Sequence, residues 1–134
     1  MKKDSERFQA QTLGRIKESL VEKVQNIDGV NVVKAVLPIE AAAAKDLVFK
    51  IRESIPENLL CVIGSTAGDK PLLTVMLSDD MVKERGLNAG QMVREAAKLI
   101  QGGGGGQPHF ASAGGKNLDG ITAAVEKIIE MIKN

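Results

Sequence analysis

The segment NLLCVIGSTAGDKPLLTVML, residues 58–77, decides the class of fold. Its first part, NLLCVIGS (58–65), is a continuous apolar run, the pattern of a strand covered on both faces. TAGDK is turn chemistry, and PLLTVML (71–77) is the returning strand. A reversal this short makes the two strands antiparallel. Immediately upstream, IEAAAAKDLVFKIRESI (39–55) places Ala44, Leu47, Val48, Ile51 and Ile55 on one helical face, and Pro56 stops the helix. Before it, VNVVKAVL (30–37) reads as a strand. A strand–helix–strand order predicts a crossover with parallel pairing. The fold class is therefore α/β, a small mixed sheet flanked by helices.

Further out, Leu13, Ile16, Leu20, Val24 and Ile27 recur at steps of three and four, predicting an amphipathic helix over roughly residues 4–26. Its apolar stripe is narrow, and two readings stand. It is the end of a coiled-coil-like arm, or it lies on its own sheet. Asp28-Gly29 ends the helix. The expected division is an N-terminal helix or linker arm over 1–27 and a globular domain over 28–134. Downstream, SDDMVKERG (78–86) reads as one or two helical turns opened by Ser78, with Asp79 and Asp80 complementing a helix N-terminus. Asn88 with Gln91 forms a capping box for a helix over 89–101, and Gly102 occupies the expected left-handed terminus. Leu118, Ile121, Val125, Ile128 and Ile132 mark a last helix over roughly 118–133.

Composition limits the function. The chain has 134 residues and a formal net charge of +1, so it is not a strongly basic nucleic-acid binder, although a local patch remains open. Aromatic residues make up 2%, which requires an aliphatic core. A lone cysteine, Cys61, fits a buried strand position and a reducing, cytoplasmic setting. No apolar run reaches membrane-spanning length, and residues 1–10 lack the apolar region of a signal peptide, so no membrane partner is expected. With one histidine and one cysteine, no metal cluster of soft ligands can be assembled.

The unusual segment is GGGGGQPHFASAGG, residues 102–115, which holds seven glycines. Each costs about 1 kcal/mol of backbone entropy relative to alanine in a regular element. A flexible linker is the plain reading of glycine runs. Pro108, Phe110, Ala111 and Ala113 are not linker residues, however, and the segment lies between two helices. An ordered set of turns with several positive φ angles is the alternative, its exposed N–H groups forming a concave nest for an anion. No acidic residue lies between Glu95 and Asp119, whereas Lys98 and Lys116 fall in that interval and Arg94 just before it. A phosphate backbone is the implied ligand. A P-loop needs Lys-Ser/Thr directly after its glycines, and a dinucleotide fingerprint needs a strand before them. Neither condition is met.

The residues LNAGQMVREAAKLIQGGGGGQPHFASAGGK (87–116) resemble the C-terminal domain of alanyl-tRNA synthetase, a domain also found beside the DHH phosphoesterase core. The family pattern is a helix ending in a glycine cluster, then Arg-Pro-x-Met-Ala-x-Ala-Gly-Gly. Gly102, Gly103, Gly104, Gly105, Gly106, Pro108, Ala111, Ala113, Gly114 and Gly115 fall on it. Gln107 stands where Arg is common, Phe110 where Met is common, and His109 at the variable position. The resemblance implies an accessory module that contacts the elbow of tRNA for alanine, and it makes the chain a piece of a longer synthetase. The tRNA-facing residues it suggests are the seven glycines with Gln107, His109, Lys116, Lys98 and Arg94. His109 also fits a solvent-exposed or locally capping histidine, and Lys98 and Lys116 also fit solvated charges. No catalytic residue and no cofactor is expected in this fragment; ATP with magnesium, and the zinc of editing, belong to the family's other domains. The alternatives are the substrate-binding domain of a DHH-type phosphoesterase and a dimerisation module using the N-terminal helix.

Overall fold

In the computed structural model, the residues described are 14–27, 29–66 and 70–132. The start of the N-terminal helix with Leu13, Asp28, the turn residues 67–69 and the last residues of the final helix lie outside them. Helix α1 spans residues 14–22. It is followed by β1 (Gln25–Ile27), β2 (Val30–Leu37), α2 (Ala41–Ser54), β3 (Leu59–Ser65), β4 (Leu72–Leu77), α3 (Asp79–Arg85), α4 (Ala89–Ala97), β5 (Gly103–Gly106), β6 (Phe110–Gly114) and α5 (Ile121–Ile132). All six strands form one sheet in the order β1-β2-β3-β4-β6-β5. As the sequence predicts, β2 and β3 run parallel and β4 runs antiparallel to β3.

Side chains alternate across β3, which explains its unbroken apolar run. Leu59, Cys61 and Ile63 join Val33 and Met76 beneath Ala44, Leu47, Val48 and Ile51 of α2. Leu60 and Val62 face the opposite way, into a larger cluster with Val93, Ala96 and Ala97 of α4 and Ile121, Val125 and Ile128 of α5. Two apolar layers therefore sandwich the sheet, and every residue of β3 is buried.

Three local expectations are corrected. The N-terminal helix does not run to residue 26. Gln25–Ile27 pairs antiparallel with β2, and Gly29 takes φ 83° in the reversal. Val24 and Ile27 continue the helical spacing by coincidence, because the Asp-Gly pair is a hairpin signal. Of the two readings of α1, its seam packs on its own sheet, with Ile16, Leu20, Val21 and Val24 against the α2 layer. At the end of α4 a 3-10 turn (Lys98–Ile100) intervenes, and Gln101, not Gly102, takes the left-handed conformation with φ 54°. The third correction concerns the glycine segment itself.

Candidate nucleic-acid interface

The glycine segment is a β-hairpin, not a run of turns. β5 pairs antiparallel with β6, and β6 joins β4, so the hairpin completes the sheet. Of its seven glycines only Gly106 has a positive φ, and at 158° it borders on extended backbone. Conformational freedom is therefore not why glycine stands there. Close approach is. A Cβ on Gly104 would overlap the Ser112 carbonyl oxygen and the Ala113 Cα, and one on Gly115 would overlap the Ile100 carbonyl oxygen. The hairpin loop is pinned as well. Gln107 N–H donates to the Phe110 carbonyl, Ala89 N–H to that of Pro108, and Leu77 N–H to that of His109, each at 2.8 Å.

The concave nest expected of this segment is not formed at its open end. Lys116 and Asn117 N–H both donate to the Ile100 carbonyl, at 2.7 and 2.8 Å. Gly102 N–H donates to Ala97 and Gly115 N–H to Pro71, at 3.0 and 3.1 Å. These donors are already used.

The hairpin distributes the sequence-predicted residues over two ends of the sheet, separated by roughly 15 Å for five residues of strand. At the loop end, Gln107, His109 and Phe110 line a cavity of ≈ 280 Å³ with Lys45 and Phe49 of α2. The rings of Phe49 and Phe110 stack there, centroids 5.4 Å apart and planes 25° apart. Phe49 stays exposed beside them. Among the described residues, no acidic one lines this cavity. At the open end, Gly102, Gly114, Gly115 and Lys116 line a cleft of ≈ 470 Å³ with Glu40, Ser65 and Lys70. Arg94 lies between, its guanidinium alongside Gly105. Lys98 joins neither end; it forms an exposed ion pair with Glu95 at 3.3 Å.

Lys45, Phe49, Ser65 and Lys70 were not among the residues marked by the sequence. Phe49 carried a usable signal. In a chain with three phenylalanines, it stands beyond the apolar face of α2 that Leu47, Val48 and Ile51 define.

The remaining candidates are structural. Burial pushes the Cys61 thiol far up, so it remains protonated and inert inside β3. Ser78 precedes α3 but does not cap it; its Oγ accepts from Leu59 N–H at 3.0 Å. Asp80 accepts from Asn58 N–H at 2.8 Å, and Asp79 pairs with Arg52 at 3.0 Å. Asn88 caps α4, its Oδ1 accepting from Gln91 N–H at 3.2 Å. Among the described residues no group of three or more His, Cys, Asp or Glu could hold a metal, and no helix is long and apolar enough to cross a membrane.

Residues 29–134 match the DHHA1 domain family. The chain is 53% identical over 131 residues to an alanine–tRNA ligase of Bacteroides fragilis and 51% identical to that of Bacteroides thetaiotaomicron. Each match covers 98% of this chain, which spans 15% of the length of those curated relatives. Among solved structures, the C-Ala domain of Aquifex aeolicus alanyl-tRNA synthetase superposes with a TM-score of 0.74 at 26% identity, covering 83% of this chain and 98% of that domain. A DHH-domain protein from a family of ribosomal proteins shares the fold, with a TM-score of 0.63 at 16% identity over 92% of this chain and 30% of its own.

Proposed function

This chain belongs to the DHHA1 domain family, and from that premise we propose that it is the C-terminal tRNA-binding module of an alanine–tRNA ligase. The module itself carries no chemistry. It holds the elbow of tRNA for alanine while other domains, with their ATP, magnesium and zinc, charge and edit the acceptor end in the cytoplasm. The observation that carries this reading is the loop end of the hairpin. Two of the chain's three phenylalanines stack there at the surface, beside His109, Gln107 and Lys45 and, among the described residues, with no carboxylate on the cavity wall. Aromatic faces next to a cation are how proteins hold nucleotides without reading a duplex groove. Dimerisation through the α1 seam is not favoured, because Ile16 and Leu20 already pack against the core cluster on the α2 side of the sheet.

A titration of the chain with tRNA for alanine, against a DNA duplex control, tests the reading. With a net charge of +1, binding is expected to be weak. If roughly two to four phosphates are neutralised, affinity falls with salt at a log–log slope of about −2 to −3. Lys45→Ala flattens the slope by about one unit. Phe49→Ala weakens binding about tenfold while leaving the slope alone, since a stacked base contributes about 1–3 kcal/mol. In the parent synthetase both changes reduce charging of whole tRNA more than charging of an acceptor-stem minihelix, which has no elbow. Equal losses on the two substrates would overturn the assignment.

A further inference from the structure

From the open end of the sheet, we infer that the cleft between the N-terminus of α2 and the base of the glycine hairpin is a phosphate-binding site, distinct from the aromatic loop end. Four observations converge on it. First, Ser65 ends β3 and is 2% exposed, and among the described residues its Oγ has no hydrogen-bond partner. A buried hydroxyl without a partner costs about 1–3 kcal/mol, so it is expected to find one. Ser65 lines the ≈ 470 Å³ cleft.

Second, α2 begins at the same cleft. It is fourteen residues long, no side chain caps its start, and no acidic residue lies in its first turn. Its first internal hydrogen bond runs from Ala44 N–H to the Glu40 carbonyl, which leaves the N–H groups of residues 41–43 without a helical partner. Such a terminus favours an anion through both its donors and its dipole. Third, Lys70 and Lys116 line the cleft, and among the described residues neither forms an ion pair. Among the described residues, Glu40 is the one carboxylate on its wall, and it is exposed. Fourth, the cleft lies beyond the carboxyl ends of the parallel pair β2 and β3, where open α/β sheets bind their ligands.

One hydroxyl, a set of helix-terminal N–H groups and two ammonium groups outweigh the Glu40 carboxylate, a donor-rich set that suits a tetrahedral dianion or a phosphodiester. A neutral ligand would leave the two lysines unneutralised. The phosphate has two possible sources, a small phosphate-bearing ligand or the backbone of a bound nucleic acid. The chemistry is the same.

Titration of the ¹⁵N-labelled chain with inorganic phosphate, at constant ionic strength in chloride, tests the site. The amides of Ala42, Ala43, Ser65 and Lys116 are expected to shift together along one saturating curve. Ser65→Ala raises the half-saturation concentration about tenfold, as expected for losing a hydrogen bond to a charged group. Lys70→Gln with Lys116→Gln weakens it independently, in case the serine variant perturbs β3. Shifts that grow linearly without saturating, or that are unchanged in both variants, overturn the site. The source is read by adding tRNA. A backbone phosphate moves the same amides and displaces the inorganic ion, whereas a site for a small ligand still titrates with phosphate while tRNA is bound. Amides 107–110 report the loop end separately, so failure of one site is distinguishable from failure of the other.

Discussion

Two buried serines stand at opposite ends of the same sheet, and they are treated in opposite ways. Ser78, at the loop end, is 0% exposed and doubly engaged with Leu59. Its Oγ accepts from Leu59 N–H at 3.0 Å, and its own N–H donates to the Leu59 carbonyl at 3.1 Å. Asp80 accepts from Asn58 N–H beside it, and Asn58 in turn supplies the carbonyl that receives Asn31 N–H at 2.6 Å. Ser65, at the other end, is also buried, and among the described residues its Oγ has no partner. Backbone polar groups at the loop end are consumed in holding the hairpin and the start of β3. That end therefore presents side chains: a stacked aromatic pair, an imidazole and an amide. At the open end the hairpin's backbone donors are used as well, but the Ser65 hydroxyl and the first N–H groups of α2 are left over. One end suits stacking, and the other suits an anion.

The glycine hairpin joins these two ends, so the largest expected effect lies in its middle. Gly104→Val places a branched side chain against the Ser112 carbonyl and the Ala113 Cα, backbone atoms that no rotamer change can move aside. Overpacking of this kind costs about 3 kcal/mol or more, read as a lower urea midpoint. Gly103→Ala is the control, because its Cβ would meet nothing within 4 Å. It is expected to change stability by no more than about 0.5 kcal/mol. Equal losses at the two positions would mean that glycine content, and not close approach, sets the hairpin.

The serines themselves give the next largest effect and the sharpest test of the comparison. Ser78→Ala strands the buried Leu59 N–H and is expected to cost about 1–3 kcal/mol. Ser65→Ala removes a hydroxyl that has no partner and is expected to be neutral or slightly stabilising in phosphate-free buffer. Urea denaturation of both variants decides the matter. If Ser65→Ala costs as much as Ser78→Ala, Ser65 is satisfied within the folded chain and the asymmetry between the ends disappears.

The contrast between legible and illegible parts of the fold follows the same physics. Residues 58–77 were readable because an apolar run followed by turn residues has one interpretation as a strand pair. Asn88 was readable because a cap acts within four residues of itself. Gly103–Gly106 could not be read as a strand, since glycine has no side chain to show a period of two and its place in a sheet is decided by Ser112 and Ala113 on the facing strand. Gln101 took the left-handed turn that its glycine neighbour was expected to take, because Gly102 is needed where the chain passes the Gly114 carbonyl. On the candidate interface, Gln107, His109 and Lys116 were visible from the acid-free interval. Lys45 was not, because what brings it to the loop is α2 crossing the sheet, and Phe49 was marked only by standing beyond the apolar face of α2. Ser65 was invisible for a different reason. An unpaired hydroxyl is a property of its surroundings, and in sequence it is only the last residue of a strand.

The smallest expected effect belongs to the paired end and concerns pH. Desolvation alone would raise the Asp80 carboxyl, but hydrogen bonds from the Ser78 hydroxyl and from the N–H groups of Asn58, Asp80 and Met81 outweigh it and hold the group below its usual range. The folded chain therefore binds fewer protons here than the unfolded chain, and stability rises with pH across the interval between the two values. The contribution is complete above the ordinary aspartate value of about 3.9 and is lost as the pH falls through the lowered one. Asp80→Asn keeps the size and removes the charge. It is expected to lower the urea midpoint slightly at pH 7 and to make no difference near the acid limit, where the wild-type carboxyl is protonated. The side chain is half-buried at the surface, so the effect is small and added salt should reduce it further. An Asp80→Asn deficit of the same size at both pH values would mean that the side chain acts through shape alone, and the charge would then have no part in closing the loop end of the sheet.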